Sequence, residues 1–314
     1  MHSTPEKPPF PLEVFVFSYN RGPLLRHCLD SVLRHLPEAK VTVVDDCSSD
    51  PETQAILADL PDNVRLMQPP AGKRKEQYGG LYHNLQVAYE NAEADFILFT
   101  QDDAQVVRPV EWEDIDYIRA YFGHFRDAAF LNPVFPLRIR RSRRRIVRFA
   151  EDFPAFFYTL DERFRDRSVT MYYTDISVAC TQRLREVNWN FQWSERSAAS
   201  EARRHFRKMG GMVHPFLCQL PEVPFFRSSH QTWAMRQIIK KQKGRLCGFR
   251  DMRAEEIQSL RDAPPDQVPY AEDWLHCTGR EPKRPFRHKV ADAHPLLKRA
   301  HKLELSITRY RRKN

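Results

Sequence analysis

Phe96-Ile97-Leu98-Phe99-Thr100-Gln101-Asp102-Asp103 is an apolar run that ends in two adjacent carboxylates. A short apolar stretch bounded by polar residues reads as a buried β-strand. Two like charges side by side repel, and burying them is costly unless something positive lies between or beside them. A divalent cation is the simplest such partner. Carboxylate oxygens suit the hard ions Mg²⁺ and Mn²⁺, which commonly bridge a protein carboxylate to substrate phosphates. An isolated Asp-Asp is more often a solvated turn, so the flanking segments have to decide.

Upstream, strand and helix patterns alternate. Leu12 to Phe17 is a short apolar run that ends at Ser18-Tyr19-Asn20-Arg21-Gly22. Pro23 suits the first turn of a helix running to about His35, with Leu24, Leu25, Cys28, Leu29, Val32 and Leu36 spaced to bury one face. Val41 to Val44 is a second strand ending at Asp45-Asp46, and Pro51 opens the next helix after the polar turn Ser48-Ser49-Asp50. Asn63 to Met67 reads as a third strand and Tyr82 to Asn91 as a helix, which leads into the opening stretch. Strands separated by helices predict an α/β fold, a mainly parallel sheet flanked by helices. Ligands of such sheets sit beyond the carboxyl ends of the strands. Three of the four strands end there in polar clusters.

Downstream the pattern changes. Arg138 to Arg148 holds seven arginines in eleven residues, and an aromatic stretch follows. Leu137-Ile139 and Ile146-Phe149 would suit a hairpin with arginines on one face. Val169 to Ala179 and Val213 to Leu220 read as strands, and Glu201 to Met209 as a helix stopped by Gly210-Gly211. Beyond Pro224 the chain is polar, basic and mainly helical. The division expected is a disordered segment 1–11, a domain over 12–225 with halves 12–105 and 106–225, and an extension over 226–314.

Lys and Arg number 50 against 41 Asp and Glu, a net charge of +9, which favours anionic partners. The six cysteines are scattered without a Cys-x-x-Cys pair, so neither a disulfide framework nor a zinc site is indicated. No apolar h-region and no membrane-length apolar stretch is present, so the sequence reads as cytoplasmic.

Val16 to Arg21, Val43 to Asp50 and Phe99 to Asp103, in that order and spacing, resemble the family 2 inverting glycosyltransferases with the GT-A fold. The resemblance runs strongly to Gln105 and loosely to His230. It implies a nucleotide-sugar donor, a divalent cation (Mn²⁺ or Mg²⁺) and transfer of one sugar to a hydroxyl of a glycan or lipid-linked acceptor, as in surface polysaccharide or glycoconjugate synthesis. Ser18, Tyr19 and Asn20 match the donor-binding end of the first strand, with Tyr19 packing on the base. Asp46 matches the carboxylate that accepts the imide N–H of a uridine- or thymidine-type base. Arg74, in Lys73-Arg74-Lys75, is the candidate for the diphosphate, since guanidinium grips phosphate bidentately. Asp103 matches the direct metal ligand. Asp102 would hold the ribose or share the metal, and His230 falls where several members place a histidine near it.

Inverting transfer needs a base on the acceptor side. Glu201, Glu195 and Asp175 are candidates. Glu201 is preferred, because the family places its catalytic carboxylate where a helix opens before a Gly, with Glu195 as the runner-up. The arginine run reads as an acceptor-side anion patch, a contact with anionic membrane lipid or an exposed loop. The tail from Leu296 to Ile307 reads as a basic amphipathic helix that docks on the domain or lies peripherally on a membrane. Two other classes fit the sequence less well. A nucleotidyltransferase would need a glycine-rich loop after the first strand, where only Gly22 stands. A nucleic-acid-binding protein would fit the basic charge, but no recognition motif for it is present.

Overall fold

The computed structural model describes residues 9–68, 80–138, 146–159, 174–223, 232–242, 246–278, 282 and 284–311. The strands are β1 (Leu12–Ser18), β2 (Lys40–Asp45), β3 (Val64–Met67), β4 (Phe96–Gln101), β5 (Ala104–Val106), β6 (Ala128–Asn132), β7 (Ile146–Phe149), β8 (Ala155–Thr159), β9 (Ser177–Cys180), β10 (Lys208–Met212) and β11 (Leu217–Gln219). The helices described are α1 (Gly22–His35), α2 (Pro51–Ala58), α3 (Leu81–Glu90), α4 (Trp112–His124), α5 (Thr181–Glu186), α6 (Glu195–His205), α7 (Trp233–Gln242), α8 (Ala254–Arg261), α9 (Ala271–Trp274) and α10 (Pro295–Arg311).

Among the described residues, nine strands form one sheet in the order β3-β2-β1-β4-β9-β6-β10-β8-β7. Strands β3, β2, β1 and β4 run parallel, as right-handed strand–helix–strand units require. β9 enters antiparallel between β4 and β6, while β6 and β10 are parallel. The second sheet pairs β5 with β11.

The sequence alternation explains the layers. Leu12, Val14 and Val16 of β1 face α1 and α4, whereas Phe15 and Phe17 face α3 and α6. Both faces are therefore buried, which is why the strand reads as a continuous apolar run. α1 turns Leu25, Cys28, Leu29 and Val32 into the first layer. Asp50 caps α2 by accepting from Thr53 N at 2.9 Å, which fixes the chain just after the second strand end.

Two expectations of local structure are corrected. The helix assigned to Glu201–Met209 begins six residues earlier at Glu195, where Ser194 caps it by accepting from Ser197 N; Lys208 to Met212 is strand instead. Small Ala198, Ala199 and Ala202 form its buried side, so the usual large-residue periodicity is missing. Ile146–Phe149 pairs with the following Ala155–Thr159, and the expected partner Ile139 lies outside the described residues. The last strand is confined to Leu217–Gln219, because Pro215 cannot join a ladder.

A buried ion pair joins the chain after β5 to the segment before β11. Arg108 is fully buried and binds Asp114 through both terminal nitrogens, at 2.7 and 2.9 Å. Its remaining N–H groups go to the carbonyls of Pro109, His214 and Pro215, so all five donors are used. Removing Asp114 would strand a buried guanidinium. Asp114→Ala is expected to lower unfolding free energy by about 3–5 kcal/mol in urea titration.

Candidate active site

The carboxyl ends of β1, β2 and β4 are laced together by backbone. Asp46 N donates to Ser18 O at 3.0 Å, and Asp102 N donates to Phe17 O at 3.0 Å. Ser18, Asp46, Asp102 and Asp103 are thereby brought to one edge of the sheet. Tyr19 is beside them and 46% exposed.

Asp102 and Asp103 are both buried. One nitrogen of Arg21 serves both, with Nη1 3.0 Å from Asp102 Oδ1 and 2.8 Å from Asp103 Oδ2. Ser18 Oγ donates to the other Asp102 oxygen at 2.9 Å. Burial pushes the Asp102 carboxyl up to about 6, against the pull of the Arg21 charge and with a further push from Asp103. Arg21 was read in the sequence only as part of a motif. Its role in balancing this pair depends on the turn after β1, where Asn20 takes a left-handed φ of 52°.

The preceding acidic pair divides its work. Asp45 is fully buried and holds its own loop, accepting from Ser48 N at 2.8 Å and from Gln68 Nε2 at 3.0 Å. Asp46 is partly exposed and lies against the amino end of α3, within 3.3 Å of Asn84 Nδ2. Asn20 also turns out to brace the loop, since its Oδ1 accepts from Ser49 N and Asp50 N at 2.7 and 2.9 Å. Cys47, next to Asp46, takes a left-handed φ of 57°.

The acceptor-side candidates separate clearly. Glu201 lies in the second half of α6 and binds Arg204 at 2.9 Å and His205 at 3.3 Å along its own helix. Glu195 occupies the first turn of α6 and is exposed. Asp175 accepts from Gln101 Nε2 at 2.7 Å, which ties it to the residue just before the acidic pair. Burial pushes Asp175 up to about 7, and the nearby charges of Glu195 and Asp103 add to the shift. Asp175 therefore neighbours both the acidic pair and the start of α6. Arg74 and His230 lie outside the described residues, as do the central arginines of the 138–148 run.

A histidine not foreseen in the sequence faces Asp103. His288 Nε2 lies 3.6 Å from Asp103 Oδ2, and His288 Nδ1 lies 3.1 Å from Leu220 O. With Nδ1 turned to that carbonyl, Nε2 is the ring nitrogen that faces the carboxylate. Carboxylate oxygen with imidazole nitrogen suits Mn²⁺, and a carbonyl behind the ring is the usual support for a ligating histidine. The donor set therefore fits the divalent ion implied by the resemblance. Among the described residues no group of three or more His, Cys, Asp or Glu is gathered for a metal, so further positions would fall to water and diphosphate. His288 gave no motif signal, being separated from Asp103 by most of the chain.

Residues 13–115 match the model of the family described as Glycosyl transferase family 2. That span includes all three motifs and covers about a third of the chain. No curated protein matches the chain significantly. Among solved structures it is similar to S. aureus TarS 1–349, at 18% identity and TM-score 0.47, over 67% of this chain and 60% of that one. S. aureus TarS 1–349 in complex with UDP gives 16% identity and TM-score 0.47, over 80% and 69%. The mannosyltransferase PcManGT from Pyrobaculum calidifontis, in complex with GDP-Man and Mn²⁺, gives 16% and 0.45, over 83% and 68%. The chain thus spans 60% of the length of the first of these.

Gly80 permits the approach of Asp46 to α3. A Cβ there would stand 1.9 Å from Asp46 Oδ1, so a side chain must displace either the carboxylate or the helix start. Gly80→Ala is expected to cost about 1–3 kcal/mol in thermal or urea unfolding. Asp46→Ala in the same background should recover part of that loss, because it removes the clashing carboxylate.

Proposed function

We propose that the protein is a metal-dependent, inverting glycosyltransferase. It moves one sugar from a nucleoside-diphosphate sugar of uridine or thymidine type to a hydroxyl of a glycan or lipid-linked acceptor, in surface polysaccharide or glycoconjugate synthesis. The observation that carries this reading is the meeting of Asp46, Tyr19, Asp102 and Asp103 at adjoining strand ends, inside the stretch that matches the family.

In this reading Tyr19 packs on the base and Asp46 accepts its imide N–H. Asp102, fixed by Ser18 and Arg21, faces the ribose. Asp103 and His288 would hold the divalent ion, which offsets charge on the departing diphosphate. Arg21 is positioned to exchange part of its contact with the acidic pair for a phosphate oxygen as the donor arrives. The donor half is 12–105 and the acceptor half 106–225, and the extension over 226–314 contributes His288.

We assign the base to Asp175 in place of Glu201. The acceptor oxygen attacks the anomeric carbon as the bond to the diphosphate breaks, and the hydroxyl proton passes to the Asp175 carboxylate. A base works best when its pKa lies near the working pH, which Asp175 satisfies through burial. Glu201 is already committed to Arg204 and His205.

The chemistry can be read in three measurements. Asp103→Ala should remove Mn²⁺-dependent nucleotide-sugar binding in a thermal-shift assay while leaving the fold intact. Asp175→Asn should retain donor affinity and lose transfer by about a hundredfold or more. The base must be ionised to act, so the wild-type rate should rise with pH through about 7 and level off above it. Full turnover by Asp175→Asn would return the role to Glu195 or Glu201.

A further inference from the structure

Half of the large hydrophobic side chains that stand exposed among the described residues lie on two C-terminal helices. Trp233 opens α7 and is 56% exposed; Leu296, Leu303 and Ile307 of α10 are 78%, 62% and 47% exposed. The three α10 residues are spaced so that a helix of 3.6 residues per turn places them on one side. That side is not the one docked on the protein. α10 is held inward by Leu297, which packs with Met235, Ile238 and Val290, and by His301, whose ring meets Thr232 Oγ1 at 2.7 Å. Glu304 accepts from Trp233 N at 2.7 Å and Ala234 N at 3.1 Å, which seats the start of α7 against the middle of α10. Trp233 therefore projects from a point close to Leu303 and Ile307.

The charge around this apolar stripe is of one sign. Arg299 and Lys302 of α10, and Arg236 and Lys240 of α7, are exposed. Between Pro295 and Arg311 the sequence carries five Lys or Arg and one acidic residue. An apolar stripe with an aromatic at its edge and basic flanks is the pattern of a helix that lies in a membrane interface. No described helix is long and apolar enough to cross a membrane, so contact would be at the surface. A second copy would bring like charges together and is the poorer occupant.

We propose that the outer face of α7 and α10 binds the surface of an anionic lipid bilayer, with Trp233, Leu296, Leu303 and Ile307 entering the headgroup region and the basic residues meeting lipid phosphate. The proposal is independent of sugar transfer, since its test uses neither donor nor metal.

The experiment is flotation of the full chain with vesicles of phosphatidylcholine alone or mixed with phosphatidylglycerol, at low and high salt. Binding to the mixed vesicles is expected, reduced about tenfold by high salt or by leaving out the anionic lipid. The double variant Leu303→Glu with Ile307→Glu should lose binding by at least about tenfold, and Arg299→Glu with Lys302→Glu likewise. Both variants should keep the wild-type melting temperature, since the replaced side chains are exposed. Three results would each overturn the proposal: no flotation with mixed vesicles, flotation that the variants leave unchanged, or a concentration-dependent dimer without vesicle binding that Leu303→Glu with Ile307→Glu disperses.

Discussion

The adjacent carboxylates Asp102 and Asp103 are buried together, and the surrounding structure is arranged to make that tolerable. Water cannot offset their repulsion there, so fixed positive charge and hydrogen-bond donors must. Arg21 supplies the charge through one nitrogen shared by both groups, and Ser18 supplies a hydroxyl. Both come from the end of β1, so compensation requires β1 and β4 to be paired in one register. The ladder that sets Phe17 opposite Gln101 provides it. A one-residue slip would turn Ser18 to the opposite face and leave the pair uncompensated.

The second half of the chain completes the same edge from outside the sheet. Gln105, just after the acidic pair, binds the backbone of Phe249 in both directions, with Phe249 N at 2.8 Å and Phe249 O at 2.7 Å. Glu222 receives Arg284 N at 3.1 Å, and Val223 N donates to His288 O at 2.7 Å. These contacts hold the segment that presents His288 to Asp103. Buried polar pairs of this kind fix one geometry, because leaving either partner unsatisfied is costly. The C-terminal region is thus part of the wall around the acidic pair, and α7 and α10 extend from that wall with their apolar stripe outward.

The two halves differ in how far they could be read. In the donor half, short apolar runs, Pro23, Pro51 and the polar strand ends give the strand–helix order, because each signal acts over a few residues. Asp45 and Asp46 could not be told apart in that way. Only the fold shows that Asp45 holds Ser48 and Gln68 while Asp46 stays partly exposed beside Gly80. In the second half, α6 buries alanines rather than leucines, so the sequence does not mark its start at Glu195 and Glu201 reads as its first turn. Asp175 is a single carboxylate before a short strand. Its raised proton affinity comes from burial and from Glu195 and Asp103, neither of which is near it in sequence.

By itself, the sequence determined the parallel strand–helix frame of the first hundred residues, the placing of polar clusters at its strand ends and the excess of positive charge. These follow from local periodicity, from turn residues and from composition, all of which are properties of neighbouring positions. Tertiary structure alone decided that Arg21 balances both carboxylates, that His288 faces Asp103 and that Asp175 stands beside Gln101. Charge compensation and burial act through space between residues far apart in the chain, and no short-range pattern encodes which of them will meet.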